Sequence, residues 1–223
     1  MIPELDWLPR SSALNLLAGA FLLSALYAVT RRRPADCVAG YAWNSVSLAL
    51  IAAVVAGSTG ARHIWIAAAL VLGFKGVLIP FLLRTRALDA AKRAEPAPLV
   101  AVPVGTLLCG ALVVLAFAET RELFGSPATV LGSCLPVSMA TALLGLFLMV
   151  TRRQPLLQIV GLVIVENAIF LAAVSLTYGM PLVVEMGVLL DVLVGVALLG
   201  LFVGRIEETF ESADTKRLTT LKG

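Results

Sequence analysis

The chain has 223 residues, of which 60% are hydrophobic and only 14% are charged, and its mean hydropathy is +0.98. This composition is typical of a chain that lies mostly in lipid and excludes an ordinary soluble domain. The net charge is +3, and the basic tail carries both signs of charge, so no nucleic-acid partner is expected.

Seven apolar windows are each long enough to cross a bilayer, which takes about 20 residues. Residues 1–9 carry Glu4 and Asp6 instead of a basic segment, and the apolar run that follows is long, which argues against a cleaved signal peptide. We therefore predict an all-α, polytopic membrane protein. The seven predicted transmembrane spans are 12–30, 36–58, 63–84, 98–118, 128–150, 156–177 and 181–204.

Basic residues fall in alternate loops, after the first, third, fifth and seventh predicted spans. Because Lys and Arg in short loops stay on the cytoplasmic side, this pattern predicts an outside N-terminus and an inside C-terminus. Six or eight helices would break the alternation. The residues concerned are Arg31, Arg32, Arg33, Arg84, Arg86, Lys92, Arg93, Arg152, Arg153, Arg205, Lys216, Arg217 and Lys222.

An internal repeat occurs at an offset of 121 residues, where the segment 29–34 matches 150–155 and Gly40 matches Gly161. The repeat predicts two parallel three-helix units joined by a linker helix, although coincidence among common apolar residues and a generic basic loop would give a similar match. The predicted division is 1–95 for the first unit and its cytoplasmic loop, 96–125 for the linker helix, 126–204 for the second unit and 205–223 for a cytoplasmic tail.

Three ionisable residues lie near the middle of predicted spans: Lys75 in the third, Glu166 in the sixth and Asp191 in the seventh. A charged side chain at the bilayer centre costs about 2.5 to 3.5 kcal/mol on insertion scales, and such residues tend to mark ion or proton pathways. The equivalents of Glu166 and Asp191 in the first copy are Ser45 and Leu70, so only the second copy has both acids. A structural ion pair or interhelical hydrogen bond is the alternative reading.

Two further polar residues and a proline lie near these charges. Glu185 precedes Asp191 by six residues, about 9 Å along a helix axis, so water or another side chain must bridge them. Asn167 is available to supply a hydrogen bond beside Glu166. Pro80 lies within the third span and is expected to interrupt the helical hydrogen bonds near Lys75.

The second unit resembles a known family. The sequence R-R-x-P-L-L-Q-I-V-G-L from Arg152 to Leu162, followed by E-N-A from Glu166, resembles the chain 4L family of respiratory complex I, which includes the C-type subunits of cation/proton antiporters. The segments 179–196 and 205–212 resemble the hydrogenase 4 component E family more narrowly. The first resemblance covers the C-terminal third of the chain, and the second extends in length and helix number to all of it.

The chain 4L resemblance implies roles for two of the acids. Asp191 stands four residues before Gly195, as the third-helix acid of that family does before its glycine. The second-helix acid would fall at Val163, and Glu166 lies three residues later, about one turn along the same helix face. Glu185 has no counterpart in the family.

The resemblance implies a subunit of an energy-converting hydrogenase or formate hydrogenlyase-type complex in a bacterial or archaeal cytoplasmic membrane. Such a subunit performs no redox catalysis itself and contributes carboxylates to a proton or cation path. The implied partners are antiporter-like and chain 1-like membrane subunits, a peripheral hydrogenase module and the lipid bilayer. The alternatives are an antiporter subunit and a structural or assembly protein.

No cofactor or metal is expected in this chain. Cys37, Cys109 and Cys134 occur singly, without a C-x-x-C pair, and the chain has one histidine. Phosphate-binding and hydrolase motifs are also absent from the sequence.

Replacing Asp191 with Asn removes the titratable carboxyl but keeps its size and a hydrogen-bonding group. We expect Asp191→Asn to assemble normally and to abolish proton movement coupled to redox turnover, measured by acidification of inside-out membrane vesicles. Wild-type pumping by this variant would contradict the prediction.

Overall fold

The computed structural model describes residues 8–59, 62–90, 100–124 and 134–177. These ranges are helical apart from short connections and contain no strand, which confirms the all-α prediction for this part of the chain. The elements are α1 (Leu8–Thr30), α2 (Pro34–Thr59), α3 (Arg62–Leu70), a π-helical segment (Val71–Leu78), α4 (Ile79–Ala90), α5 (Val102–Phe124), α6 (Cys134–Thr151) and α7 (Pro155–Thr177).

Six stretches within the described residues are long and apolar enough to cross a membrane, and they correspond to the first six predicted spans. The third runs through α3, the π-helical segment and α4, which follow one another without a break. The predicted seventh span, 181–204, lies outside the described residues. The six are Ser12–Thr30, Pro34–Gly57, Ile64–Arg84, Pro103–Glu122, Cys134–Thr151 and Pro155–Leu176.

Two helices continue beyond their predicted ends. α4 extends to Ala90, past the predicted end at 84, and α5 extends to Phe124, past the predicted end at 118. Hydropathy marks where the apolar stretch ends, whereas a helix ends where backbone hydrogen bonding stops. Good helix formers follow both apolar stretches, with Arg86 after the first and Glu119 and Arg121 after the second, so each helix continues.

α2 and α7 begin in the same way, each with a proline that follows a basic connection. Proline suits the first helical position because its φ angle is preset and the missing N–H would have no helical acceptor there. Just after Pro34, the N–H of Asp36 donates to Arg33 O at 3.0 Å; just after Pro155, the N–H of Leu157 donates to Gln154 O at 3.0 Å.

Glycines bring neighbouring helices into close contact. A Cβ at Gly161 in α7 would lie 2.8 Å from Gly145 O in α6, and a Cβ at Gly145 would lie 2.8 Å from Gly161 O. In the other helix pair, a Cβ at Gly40 in α2 would lie 2.9 Å from Ala28 Cα in α1. Small residues of this kind allow helix backbones to approach closely in lipid.

The core lies where α1, α2, α6 and α7 meet. α1 packs on α2 and α6, α6 packs on α7, and α2 packs on α7 and on the π-helical segment. Large apolar side chains such as Phe21, Leu48, Leu144 and Ile164 are fully buried there. α5 packs mainly on α6 and leaves much of its apolar surface exposed, as with Leu107, which is 75% exposed.

Adding one methyl group at Gly161 tests the close approach of α6 and α7. Gly161→Ala places a Cβ against backbone atoms of α6, which cannot move aside as a side-chain tip can, so we expect a loss of about 1 to 3 kcal/mol of stability. Gly110→Ala is the control, because none of the described residues has an atom within 4 Å of its added Cβ. Thermal stability in detergent is the measurement, and equal stability of the two variants would refute the prediction.

Candidate functional site

A buried ion pair joins the π-helical segment to α7. Lys75 Nζ lies 3.6 Å from Glu166 Oε1, and the two side chains are 1% and 5% exposed. The structure therefore brings together two of the residues that the sequence singled out separately. Glu185 and Asp191 lie outside the described residues.

Lys75 projects from a stretch of helix that departs from α-helical hydrogen bonding. At the end of the π-helical segment, the N–H of Ile79 donates to Phe74 O, five residues earlier. Pro80 follows directly and has no N–H to donate to Gly76 O, so the α-helical ladder is broken at this point. The interruption predicted from Pro80 is thus located beside Lys75. π-Helical turns are rare and are frequent at functional sites.

Asn167 lies next to Glu166 in sequence but makes its hydrogen bonds to α2. Its Nδ2 donates to Asn44 Oδ1 and to Ser45 Oγ, both at 2.9 Å. Asn44 Nδ2 in turn donates to Phe21 O in α1 at 2.9 Å, which leaves its Oδ1 as the acceptor for Asn167. These three polar side chains are fully buried and join α1, α2 and α7.

Asn167 also has spare hydrogen-bonding capacity. Its Oδ1 is buried and accepts no hydrogen bond from the described residues. An amide oxygen can accept two hydrogen bonds, so this atom has room for a water molecule or a protonated group. Asn167 can therefore still accept a hydrogen bond through Oδ1, as predicted for it, while its Nδ2 donates to α2.

The Lys75–Glu166 pair is held mainly by charge. The separation of 3.6 Å exceeds the 2.7–2.9 Å that is typical of a direct charge-assisted hydrogen bond. Two unit charges about 4 Å apart interact by on the order of 4 kcal/mol at the effective dielectric constant of about 20 that describes protein sites. This attraction offsets part of the cost of removing both groups from water.

A second polar contact lies at the end of the bundle where α1 and α6 terminate. Arg152 Nη2 donates to Val29 O at 3.2 Å and to Arg31 O at 2.6 Å, and Arg152 is only 9% exposed. Carbonyl groups in the last turn of a helix lack helical donors, so the guanidinium completes the end of α1.

Sequence reasoning missed the roles of Asn44, Ser45 and Arg152. Ser45 was noted only as the equivalent of Glu166, and Arg152 only as part of a basic loop. In α2, the adjacent amide and hydroxyl of Asn44 and Ser45 in the middle of an apolar run could have indicated buried hydrogen bonds. No three His, Cys, Asp or Glu side chains gather as metal ligands in the part of the chain that the structure describes.

Two relatives align with nearly the whole chain. A protein of Mycobacterium tuberculosis (strain ATCC 25618 / H37Rv), described as uncharacterized protein Rv0085, is 32% identical over 213 residues, which are 95% of this chain and 97% of that protein. Hydrogenase-4 component E of Escherichia coli (strain K12) is 28% identical over 215 residues, which are 96% of this chain and 99% of that protein. The chain is thus homologous to hydrogenase-4 component E along nearly its whole length.

The resemblance to the hydrogenase 4 component E family, first noted in the segments 179–196 and 205–212, is therefore confirmed over almost the full length. Hydrogenase-4 component E of Shigella flexneri gives the same identity and coverage as the Escherichia coli protein. No protein-family model and no solved structure matches the chain.

Replacing Asn44 tests the hydrogen bonds between α1, α2 and α7. Asn44→Leu leaves Asn167 Nδ2 with one acceptor fewer in a buried site, so we expect a loss of about 1 to 3 kcal/mol of stability. Ser47→Ala serves as the control, because within the described residues Ser47 Oγ donates to Trp43 O of its own helix and to no other helix. Chemical denaturation in detergent measures the difference, and two equal midpoints would show that the cross-helix bonds contribute nothing.

Proposed function

We propose that the chain is a multi-pass membrane subunit of a hydrogenase-type complex and that the Lys75–Glu166 pair forms part of a proton path. Two findings support membership of such a complex: the similarity to hydrogenase-4 component E over 96% of the chain and the six helices of membrane-spanning length. The buried ion pair carries the proposal of a proton path. The subunit performs no redox chemistry of its own.

The chemistry of the pair suits proton transfer. While the Lys75 ammonium stays near Glu166, it favours the ionised carboxylate. When the ammonium moves away, a buried carboxylate remains without its counter-charge, and protonation of Glu166 relieves the cost. Return of the positive charge then expels the proton. The pair thus converts movement of a charge into loading and release of a proton.

The surrounding helices set the geometry for this exchange. The hydrogen bonds from Asn167 to Asn44 and Ser45 fix the rotation of α7 against α2. Because Glu166 and Asn167 are consecutive on a helix, they point about 100° apart, so fixing one side chain also directs the other. In this proposal Asn167 positions Glu166 to face Lys75.

The remaining parts of the proposal extend the path beyond the described residues. Asp191 and Glu185 continue the route, with water bridging them, and the N-terminus lies outside and the C-terminus inside. The likeness of the second unit to complex I chain 4L supports a role for Asp191. The membrane subunits and peripheral hydrogenase module that the resemblance implies are the proposed partners.

A structural role is the second candidate, and the same ion pair favours it. Buried pairs between helices also fix helix packing, and an apolar replacement of both partners often retains stability. The two roles differ in what happens when both charges are removed together. An antiporter subunit would use the same groups, but the name of the Escherichia coli relative favours a hydrogenase complex, and co-purification of a Ni–Fe protein separates these two assemblies.

Single and double variants at the pair separate conduction from structure. Glu166→Gln leaves the Lys75 ammonium buried without its carboxylate, which costs about 3 to 5 kcal/mol, so we expect low abundance in the membrane. The double variant Lys75→Met with Glu166→Gln removes both charges, and we expect abundance to recover. If the pair conducts protons, proton movement stays absent in the double variant.

The measurements are the amount of assembled protein in membranes and the acidification of inside-out vesicles per unit of redox turnover. Glu119→Gln is the matched control, because Glu119 is an exposed carboxylate near the end of α5. A double variant that regains both abundance and wild-type proton movement would overturn the proton path and leave the structural role.

A further inference from the structure

Arg152 carries a buried charge that the described residues do not balance. Only its Nη2 is engaged, by Val29 O and Arg31 O; Nε and Nη1 donate no hydrogen bond within the described part of the chain. Within the described residues, no carboxylate forms an ion pair with Arg152. The ion pair found there joins Lys75 and Glu166. A buried guanidinium without a counter-charge is costly, so this side chain calls for an anion.

The guanidinium borders a pocket at the end of the helix bundle. The pocket lies among the last turns of α1 and α6 and the first turns of α5, and its polar lining includes Thr30, Thr106, Thr151 and Arg152. The first turns of α5 also border it through Gly105 and Thr106, at the positive end of the helix dipole, although the N–H of Gly105 already donates to Ala101 O at 2.8 Å. A buried cation and a helix N-terminus thus face one space.

The position of the pocket indicates which anion fits. It lies at the ends of helices that lead into the basic loops, the side predicted to face the cytoplasm. Anionic phospholipids are enriched in that leaflet, and basic pockets between helices bind their headgroups. Within a turn of the pocket, α5 exposes Val104, Leu107 and Leu108, which offer an apolar surface to acyl chains.

We propose that this pocket binds the phosphate group of an anionic phospholipid, with Arg152 as its principal charged contact. A phosphate oxygen accepts from the guanidinium nitrogens that make no hydrogen bond within the described residues. Free phosphate could make the same hydrogen bonds, but it has no acyl chain to contact the apolar surface of α5. The proposal goes beyond the proton path and holds whether or not Glu166 carries protons.

Native mass spectrometry of the full chain, purified in mild detergent with any subunits that accompany it, tests the proposal. We expect the wild-type protein to retain a phosphatidylglycerol or cardiolipin adduct after partial delipidation. Arg152→Met should lower the retained fraction about tenfold or more, because it removes charge-assisted hydrogen bonds to the phosphate. Arg153→Met is the matched control, since Arg153 is the exposed neighbour in the same connection.

A second variant protects the test against misfolding of Arg152→Met. A Cβ at Gly105 would lie 3.9 Å from its nearest neighbours, Phe147 and Val100, which line the same pocket. Gly105→Leu therefore has room for its first atom and extends into the pocket while leaving the bonds of Arg152 to α1 intact. We expect it to remain folded and to lose the lipid as Arg152→Met does.

Three outcomes would overturn the proposal. The first is that Arg152→Met and Gly105→Leu retain the lipid as well as the wild type. The second is that Arg153→Met loses it equally, which would indicate general attraction to the basic surface. The third is that delipidated protein takes up inorganic phosphate at the pocket but no added phosphatidylglycerol, which would assign the site to a free anion.

Discussion

Lys75 and Glu166 can be accommodated in this bundle because each lies beside a group of opposite charge. The helices around them are almost wholly apolar, and an isolated charge in such surroundings is expensive. Their contact requires the π-helical segment and α7 to face each other at one particular height and rotation. The hydrogen bonds of Asn167 to α2 fix that rotation from a neighbouring face of α7. Polar contacts therefore specify an arrangement that apolar packing alone would leave less defined.

Close helix approach makes these polar contacts possible. Gly145 and Gly161 bring the backbones of α6 and α7 together, and Gly40 does the same for α2 against Ala28 of α1. Positions 121 residues apart thus make the same kind of contact, with Gly40 on Ala28 and Gly161 on Met149. This likeness supports the proposal of a repeat. The helices α2 and α7 also contact each other, and there the short side chain of Ser45 meets Asn167.

The sequence predicted the helical class and the six spans of the described residues, because a long apolar run in lipid satisfies all its backbone hydrogen bonds internally only as a helix. It also singled out Lys75 and Glu166, since a charge is conspicuous among apolar residues. The sequence could not predict that these two residues form a pair, because their contact depends on the relative rotation of two helices far apart in the chain. Asn44 was missed for a related reason. An amide within an apolar run signals burial, but only the neighbouring helix shows which group it binds.

The proposed repeat explains why the first copy lacks the acid of the second. Ser45, the equivalent of Glu166, lies at the contact with α7, where its hydroxyl accepts from Asn167 at 2.9 Å. A carboxylate at Ser45 would place a second negative charge near Glu166 inside the bundle, and two buried like charges repel strongly. The equivalent residues Arg31 and Arg152 also differ in role. Arg152 is buried and donates to the carbonyl of Arg31, whereas the guanidinium of Arg31 stacks over Tyr27. Under the proposed repeat, equivalent positions that meet at one interface carry complementary groups, which accounts for the difference between the two copies at Arg31 and Arg152.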